Sequence, residues 1–190
     1  SVTYAFSVVG ADHMEGETMC IESLPSGQEP SFYPEYGLKA TERVDTEGKA
    51  QIAHVMQNAY QAASALGYCL IASASGSTAY PIKYNLKFLK AATGIDLSSQ
   101  EFLKTGERIY NLKRALNFKH GMRKDEDCLP ERLLNLPPPS GGAKGSVARL
   151  DAMTKEFLEV RGWDPMTHKP TRERLESLGM TDIANDLWQS

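Results

Sequence analysis

The sequence predicts an all-α protein, an irregular helical bundle with long loops and little or no sheet. Apolar residues recur at three- and four-residue spacings in several segments, which is the period of an amphipathic helix. No segment alternates polar and apolar residues long enough to form a strand, and no internal repeat is present. With 41% apolar and 24% charged residues over 190 positions, the chain has enough apolar surface to bury a core.

The first 47 residues are predicted to form a mostly irregular lead-in, and residues 48–190 a helical body. Residues 19–46 contain three prolines and two glycines with little periodicity, so we expect a long, mobile connection there. A helix is predicted over 48–66, ended by Gly67, and a short buried connector follows it. The apolar stripe of this helix consists of Ile52, Val55, Met56, Ala59, Tyr60 and Ala63.

Helix start and stop signals divide the second half of the chain. Pro81 precedes a helix predicted over 82–92, and Ser98 with Glu101 forms a capping box that opens a helix reaching about His120. The predicted apolar stripe of this second helix consists of Phe102, Ile109, Leu112 and Leu116. After the Pro- and Gly-rich run 137–142, a helix over 146–160 and two short helices over 171–178 and 182–188 are predicted.

Composition excludes several classes of function. A net charge of −3 gives no concentrated basic face, so a nucleic-acid partner is not expected. No apolar run approaches the length of a membrane span, and three distant cysteines favour reduced thiols, so we expect a cytoplasmic protein. The chain has no phosphate-binding loop, nucleophile elbow or C-x-x-C pair, so any cofactor must be shared with other sequence.

Single residues leave their roles open. A lone cysteine such as Cys69 is more often a small buried hydrophobe than a metal ligand. His13 fits either a catalytic proton carrier or a structural histidine, and Asp12 either orients it or caps a turn. Direct pairing of Asp12 with His13 is not expected.

Other candidates fit structural roles better. Cys20 and Cys128 lie in polar, loop-like contexts and are expected to be incidental thiols. His54 and His120 are expected to be solvated or to cap a helix C-terminus. The run 123–127 is predicted to be a solvated turn, with docking of an electron carrier as the alternative. The two tryptophans are expected to anchor packing.

Three segments together resemble one known family. Residues 106–118, followed by 120–127 and 129–132, closely resemble the helix-and-turn signature of the aldehyde ferredoxin oxidoreductases. The run 161–164, with 170–171 and 178–179, resembles the tail of that family, and 10–13 resembles its G-A-D-H segment. Because these segments cover nearly the whole chain, the resemblance implies the C-terminal helical domain of a larger enzyme.

The resemblance also implies cofactors. The family binds tungsten, or molybdenum, through two pterin dithiolenes beside a [4Fe-4S] cluster, and its fourth cluster cysteine ends a D-x-x-G-L-C motif. The matching run 64–69 reads S-A-L-G-Y-C, so Cys69 is the implied ligand, and Ser64, Gly67 and Tyr68 are the implied cofactor contacts. Ser64 replaces the motif's Asp and Tyr68 its second Leu, which removes a carboxylate that accepts pterin hydrogen bonds.

The implied reaction is oxidation of an aldehyde to a carboxylic acid, or its reverse, with ferredoxin as the electron carrier. His13 matches the histidine that this family places near the metal, and it is the catalytic candidate. The missing N-terminal domains are the implied partners, and the chain alone is expected to bind no metal and to be inactive. Two alternatives stay open: reduction of an aromatic acyl-thioester, as in benzoyl-CoA reductases, and a cofactor-free helical interaction module.

Overall fold

The computed structural model describes residues 1–22, 34–39, 41–67, 69 and 81–189, and it confirms the all-α prediction. These described residues form nine α-helices and two 3-10 helices, and no strand. The α-helices are α1 (Val2–Ala5), α2 (Met19–Glu22), α3 (Lys49–Ser64), α4 (Pro81–Thr93), α5 (Ser99–Lys119), α6 (Glu131–Asn135), α7 (Leu150–Arg161), α8 (Arg172–Ser177) and α9 (Thr181–Leu187). The 3-10 helices span Pro34–Tyr36 and Lys124–Glu126.

Some predictions fall outside these ranges. Tyr68 and residues 70–72 of the predicted connector lie outside the described residues, as do 23–33 and 40 of the predicted mobile segment. Within that segment, Cys20 lies in the short helix α2 and not in a loop, and Leu38 is buried against α3. In the described ranges, no helix combines the length and the apolar character that crossing a membrane requires.

Helix α3 lies at the centre of the fold and packs against α1, α4, α5 and α7. The predicted stripe is confirmed, because all six of its residues are buried. The helix is in fact buried on almost every side, since polar residues such as Gln57, Asn58 and Gln61 are buried as well. These amides therefore need partners inside the protein.

The closest contact in the bundle joins α3 to α5 at Gly106. A Cβ atom added to Gly106 would lie far inside van der Waals contact of the backbone oxygen of Asn58. Only glycine lets the two backbones approach this closely, which explains a glycine within a 21-residue helix in spite of its low helix propensity. The predicted capping box at the start of α5 is confirmed: Glu101 N donates to Ser98 Oγ at 3.2 Å.

The predicted apolar stripe of α5 is wrong in its second half. Phe102 is buried, but Leu112 is 46% exposed and Leu116 is 52% exposed. The buried face instead carries Glu107, Tyr110, Asn111, Arg114 and Ala115. Hydrophobic periodicity selected the wrong face because these polar side chains are each paired inside the fold, as described below.

Helix α7 begins four residues later than predicted, at Leu150 and not at residue 146. Ahead of it, the amide of Ala148 donates to Leu133 O at 3.0 Å, so this stretch pairs with the end of α6 and does not start the helix. Gly162 ends α7 with φ +64°, and Trp163 N then donates to Leu158 O at 2.8 Å.

The N-terminal lead-in is part of the core. Val2, Ala5, Phe6 and Val8 are buried together with residues of α3, α5 and α7, and the Phe6 and Phe157 rings stack with centroids 4.6 Å apart. The predicted short helices at the C-terminus are present as α8 and α9, each within about two residues of the expected bounds, and they share a small apolar cluster of their own.

Candidate cofactor-facing site

His13 lies in a turn that joins α1 to α2. Asp12 Oδ1 accepts a hydrogen bond from Met14 N at 2.7 Å, and Gly16 N donates to His13 O at 3.3 Å. The imidazole is about half exposed, and its Nδ1 lies 3.8 Å from Asp12 Oδ1, too far for a hydrogen bond. Asp12 therefore caps the turn, and the His13 ring remains accessible.

The turn lies against the second half of α3. A Cβ atom at Gly16 would overlap the Gln57 side chain, so the backbone touches the helix there. Glu15 accepts a hydrogen bond from the Gln61 side-chain amide, and Lys113 Nζ of α5 lies 3.2 Å from Glu15 Oε2. Sequence reasoning missed this set. The available signal was a pair of glutamines, one helical turn apart, among the apolar residues of the second half of α3.

The other predicted cofactor residues follow at the end of α3. Ser64 is the last helical residue and is exposed, as are Gly67 and Cys69. Gly67 has φ +81°, donates to Ser64 O at 3.1 Å, and has open space where a Cβ would lie. The Glu15 side chain of the His13 turn reaches Gln61, which is about one helical turn, or roughly 5 Å along the axis, before Ser64.

These residues fit a cofactor that another part of the protein also holds. The thiol of Cys69 is free and exposed, and the backbone at Gly67 is open to close approach. No group of three His, Cys, Asp or Glu side chains among the described residues is placed to hold a metal ion.

Between α3, α5 and α7, a buried polar cluster takes the place of hydrophobic packing. Arg161 is fully buried, donates to Asn58 Oδ1 at 2.6 Å and to Gln57 Oε1 at 2.5 Å, and lies 4.0 Å over the Tyr110 ring. Burial lowers the pKa of Arg161 to about 10, which still leaves it charged near neutral pH. The cluster gives partners to the Asn58 amide and to Gln57 Oε1, whereas the buried Gln57 Nε2 has no hydrogen-bond partner among the described residues.

His54 belongs to the same cluster, so the expectation of a solvated or capping role is wrong. Its pKa is well below 6.5, because burial and then the Arg161 and Arg174 guanidinium groups disfavour the charged ring. Since the Oδ1 atom of Asn58 accepts from Arg161, its amide nitrogen donates to His54 Nε2 at 3.1 Å. The neutral ring then carries its proton on Nδ1.

Helix α5 also binds the C-terminal segment of the chain. Trp163 Nε1 donates to Asn111 Oδ1 at 2.8 Å, which confirms its packing role, and Arg174 Nε donates to Glu107 Oε1 at 2.8 Å. Arg114 and Asp127 form a two-bonded ion pair, with Arg114 Nη1 2.7 Å from Asp127 Oδ1.

The run 123–127 is thus a solvated turn only in part. Arg123 and Asp125 are exposed and paired with each other, but Asp127 is buried and also lies 2.8 Å from His168 Nδ1. His120 is exposed at the end of α5, as expected, and Cys128 is an exposed free thiol. The residues that carry the family resemblance are therefore mainly the ones that hold the fold together.

The fold is an all-α domain with a central buried helix, and comparison with known proteins assigns its family. The model for "Aldehyde ferredoxin oxidoreductase, domains 2 & 3" matches residues 1–180. The chain therefore belongs to the aldehyde ferredoxin oxidoreductase family, which confirms the resemblance inferred from the sequence.

Two of the most similar relatives are the tungsten-containing aldehyde ferredoxin oxidoreductases of Pyrococcus abyssi and Thermococcus kodakarensis. Each is 43% identical over 96 or 97 residues, which is 50% of this chain. The matched region covers 16% of each relative's length. The match therefore shows the family of this chain, and the activity of those whole enzymes is a proposal for it.

Among solved structures, the fold is similar to a chain of the active site complex BamBC of benzoyl coenzyme A reductase, solved with 1,5-dienoyl-CoA. The TM-score is 0.55 with 24% sequence identity, over 72% of this chain and 20% of the other. At this identity the likeness supports the fold and not the substrate.

Proposed function

We propose that this chain is the C-terminal part of an oxidoreductase that converts aldehydes to carboxylic acids and passes the electrons to ferredoxin. The family match supports the enzyme class, and the relatives named as tungsten-containing enzymes support the metal. The exposed thiols and the chemistry of an iron-sulfur ligand suit a reducing cytoplasm. The rest of the polypeptide, ferredoxin and a small aldehyde are the proposed partners.

The observation that carries this proposal is the exposed, free thiol of Cys69 at the end of α3. A free cysteine is ordinarily buried as a small hydrophobe, so an accessible thiol is available as a ligand. When bound, a bis-pterin tungsten or molybdenum centre would accept two electrons from the substrate, and a [4Fe-4S] cluster would pass them on singly.

Each neighbouring residue then has a limited role. Cys69 holds one corner of the cluster as a thiolate, and Gly67 leaves the backbone free of a side chain where a pterin approaches. Ser64 can keep one hydrogen bond of the two that a carboxylate would accept, and Tyr68 completes the run. The His13 imidazole donates a proton to the substrate oxygen or removes one near neutral pH.

Metal analysis of the full-length protein tests the cluster assignment. We expect about four iron atoms per polypeptide in the wild type and a large loss in Cys69→Ser. Cys128→Ser is the matched control, because Cys128 is also a free, exposed thiol in this chain. Equal iron content in both variants contradicts the ligand role of Cys69. Tungsten and molybdenum measured in the same sample decide which metal is used.

Turnover tests the reaction and the role of His13. The full-length enzyme should oxidise short aldehydes with a viologen acceptor, and His13→Ala should lower kcat by about 100-fold or more. A control substitution, His120→Ala, changes an exposed histidine at the far end of α5 and should leave the rate unchanged.

The aromatic thioester reductase is the second candidate, because Ser64 and Tyr68 depart from the family motif in the implied cofactor run. Reduction of benzoyl-CoA by the full-length enzyme, with no turnover of aldehydes, would favour it. Folded full-length protein that contains neither iron nor tungsten would instead favour the cofactor-free interaction module.

A further inference from the structure

One face of α5 holds the segment in which His13 lies. Tyr110, Lys113 and Asn117 are three and four residues apart, so they share a side of the helix. The Tyr110 hydroxyl donates to Phe6 O at 2.5 Å and Asn117 Nδ2 donates to Val8 O at 2.8 Å. These two bonds fix the backbone ahead of the His13 turn.

The far side of the turn is fixed by a charged contact. Lys113 Nζ lies 3.2 Å from Glu15 Oε2 and 3.4 Å from Glu15 Oε1, and the Gln61 side-chain amide donates to the same carboxylate. The Glu15 side chain is 16% exposed and that of Lys113 is 36% exposed. A partly buried pair is screened less by salt than a surface pair, so it can hold a loop in place.

The backbone of the turn contacts α3 where Gly16 packs against Gln57. The Asp12 cap on Met14 N and the 3.3 Å bond from Gly16 N to His13 O are short-range contacts that set the shape of the turn. These three contacts do not join the turn to α5. The carboxylate of Glu15 bridges both helices, and it lies only two residues after His13.

We propose that the Glu15–Lys113 ion pair is a positioning clamp that fixes the His13 turn against α3 and α5. Neither residue is a catalytic residue, because each acts through the placement of His13. The proposal rests on the catalytic role given to His13 above. A displacement of about 1 Å at a reacting group can lower the rate as much as 100-fold, so loss of the clamp should affect turnover more than substrate binding.

The test uses the full-length enzyme, with aldehyde and viologen as the assay. Lys113→Met should lower kcat by roughly tenfold with KM changed less than about twofold. The reversed pair, Glu15→Lys with Lys113→Glu, should recover most of the lost kcat. Lys119→Met is the matched control, because it breaks the exposed Lys119–Asp186 pair of the same helix and should leave kcat unchanged.

Hydrogen exchange gives a readout that does not depend on turnover. Amides of residues 10–16 should exchange roughly tenfold faster in Lys113→Met than in Lys119→Met. Equal exchange in the two variants overturns the clamp, whatever the activity. Faster exchange with unchanged kcat, in an enzyme that His13→Ala inactivates, overturns the positioning role.

Failure of the proposed function has a different signature. A wild type without aldehyde turnover, or a fully active His13→Ala variant, rejects that function while the exchange measurement still decides whether the clamp exists. A reversed pair that is as slow as Lys113→Met alone, with normal circular dichroism, shows that the charge pairing itself does not position the turn.

Discussion

The turn that carries His13 contacts α3 at Gln57 and Gln61, the segment that carries Cys69 follows the end of α3, and the fold holds the two differently. Side chains from two helices bind the turn on both sides of His13, through Tyr110, Asn117, Lys113 and Gln61. The segment 64–69 continues α3 by backbone bonds, such as Ala65 N to Gln61 O at 3.1 Å, and half-buried Leu66 packs on the cluster around Phe102.

The difference indicates which part of the proposed site is positioned before a cofactor binds. A proton carrier must be positioned accurately before the substrate arrives, so its placement within the chain is useful. A cluster ligand is held by the metal bond itself once the cluster forms, because ligand binding and local folding are coupled. We therefore infer that the His13 side is preorganised and that the Cys69 side becomes fixed on cofactor binding.

The largest expected effect comes from breaking the buried ion pair of α5, the helix that holds the His13 turn. Asp127→Ala leaves the fully buried Arg114 without its carboxylate, and should lower the free energy of unfolding by about 3–5 kcal/mol. Denaturant unfolding of the 190-residue chain measures it. Asp125→Ala removes an exposed pair with Arg123 and should leave the free energy of unfolding nearly unchanged. Similar losses in both variants would show that the buried pair stabilises the fold no more than an exposed pair does.

A smaller loss is expected from separating the two helices that hold the turn. Gly106→Ala places a Cβ against the backbone oxygen of Asn58, which cannot move away as a flexible side chain could. Overpacking of this kind costs about 1–3 kcal/mol or more, measured as a lower unfolding midpoint in urea. Gly179→Ala provides a comparison without a clash, because its Cβ would have open space and only its φ of +71° opposes the substitution. A Gly106→Ala chain as stable as the wild type would contradict the close contact.

Sequence patterns predicted the helices but not which face of α5 is buried. The stripe of α3 and the capping box at Ser98 follow local rules, and they are confirmed. The buried face of α5 was missed because Arg114 and Glu107 are inside only as halves of pairs with Asp127 and Arg174. Such partners, 13 and 67 residues away, follow from tertiary structure and not from periodicity.

The candidate site could be predicted from its resemblance to family motifs, and not from the spacing or chemistry of its residues alone. Nothing in the spacing of 64–69 marks Cys69 as a ligand, and resemblance alone assigned it and His13. The structure adds the accessibility of both side chains and the Glu15 contacts, which no local pattern contains.

Titration of His54 tests the buried cluster behind the His13 turn. Its pKa in the folded chain is well below 6.5, so the unfolded chain takes up the proton first as the pH falls. Stability is then complete above about pH 6.5 and decreases below it, by up to about 1.4 kcal/mol per pH unit until the folded ring also titrates. The measurement is unfolding free energy between about pH 7.5 and 5.5 for the wild type and His54→Gln.

The variant should lose less stability than the wild type over this range, because glutamine has no charge to gain. His120→Gln changes an exposed histidine and should keep the wild-type slope. Equal slopes for the wild type and His54→Gln would show that His54 is solvated, and that the cluster is open to water.

The smallest effect should come from the Cys69 side. Cys69→Ser changes an exposed thiol in the metal-free chain, so the free energy of unfolding should change by less than about 0.5 kcal/mol. In the full-length enzyme the same substitution removes the proposed cluster ligand, and on that proposal both iron content and melting temperature should fall because metal binding contributes to folding. A loss above about 1 kcal/mol in the metal-free chain would mean that the sulfur is packed inside its own domain. The two sides would then be equally preorganised, and Cys69 would no longer be accessible to a cluster held elsewhere.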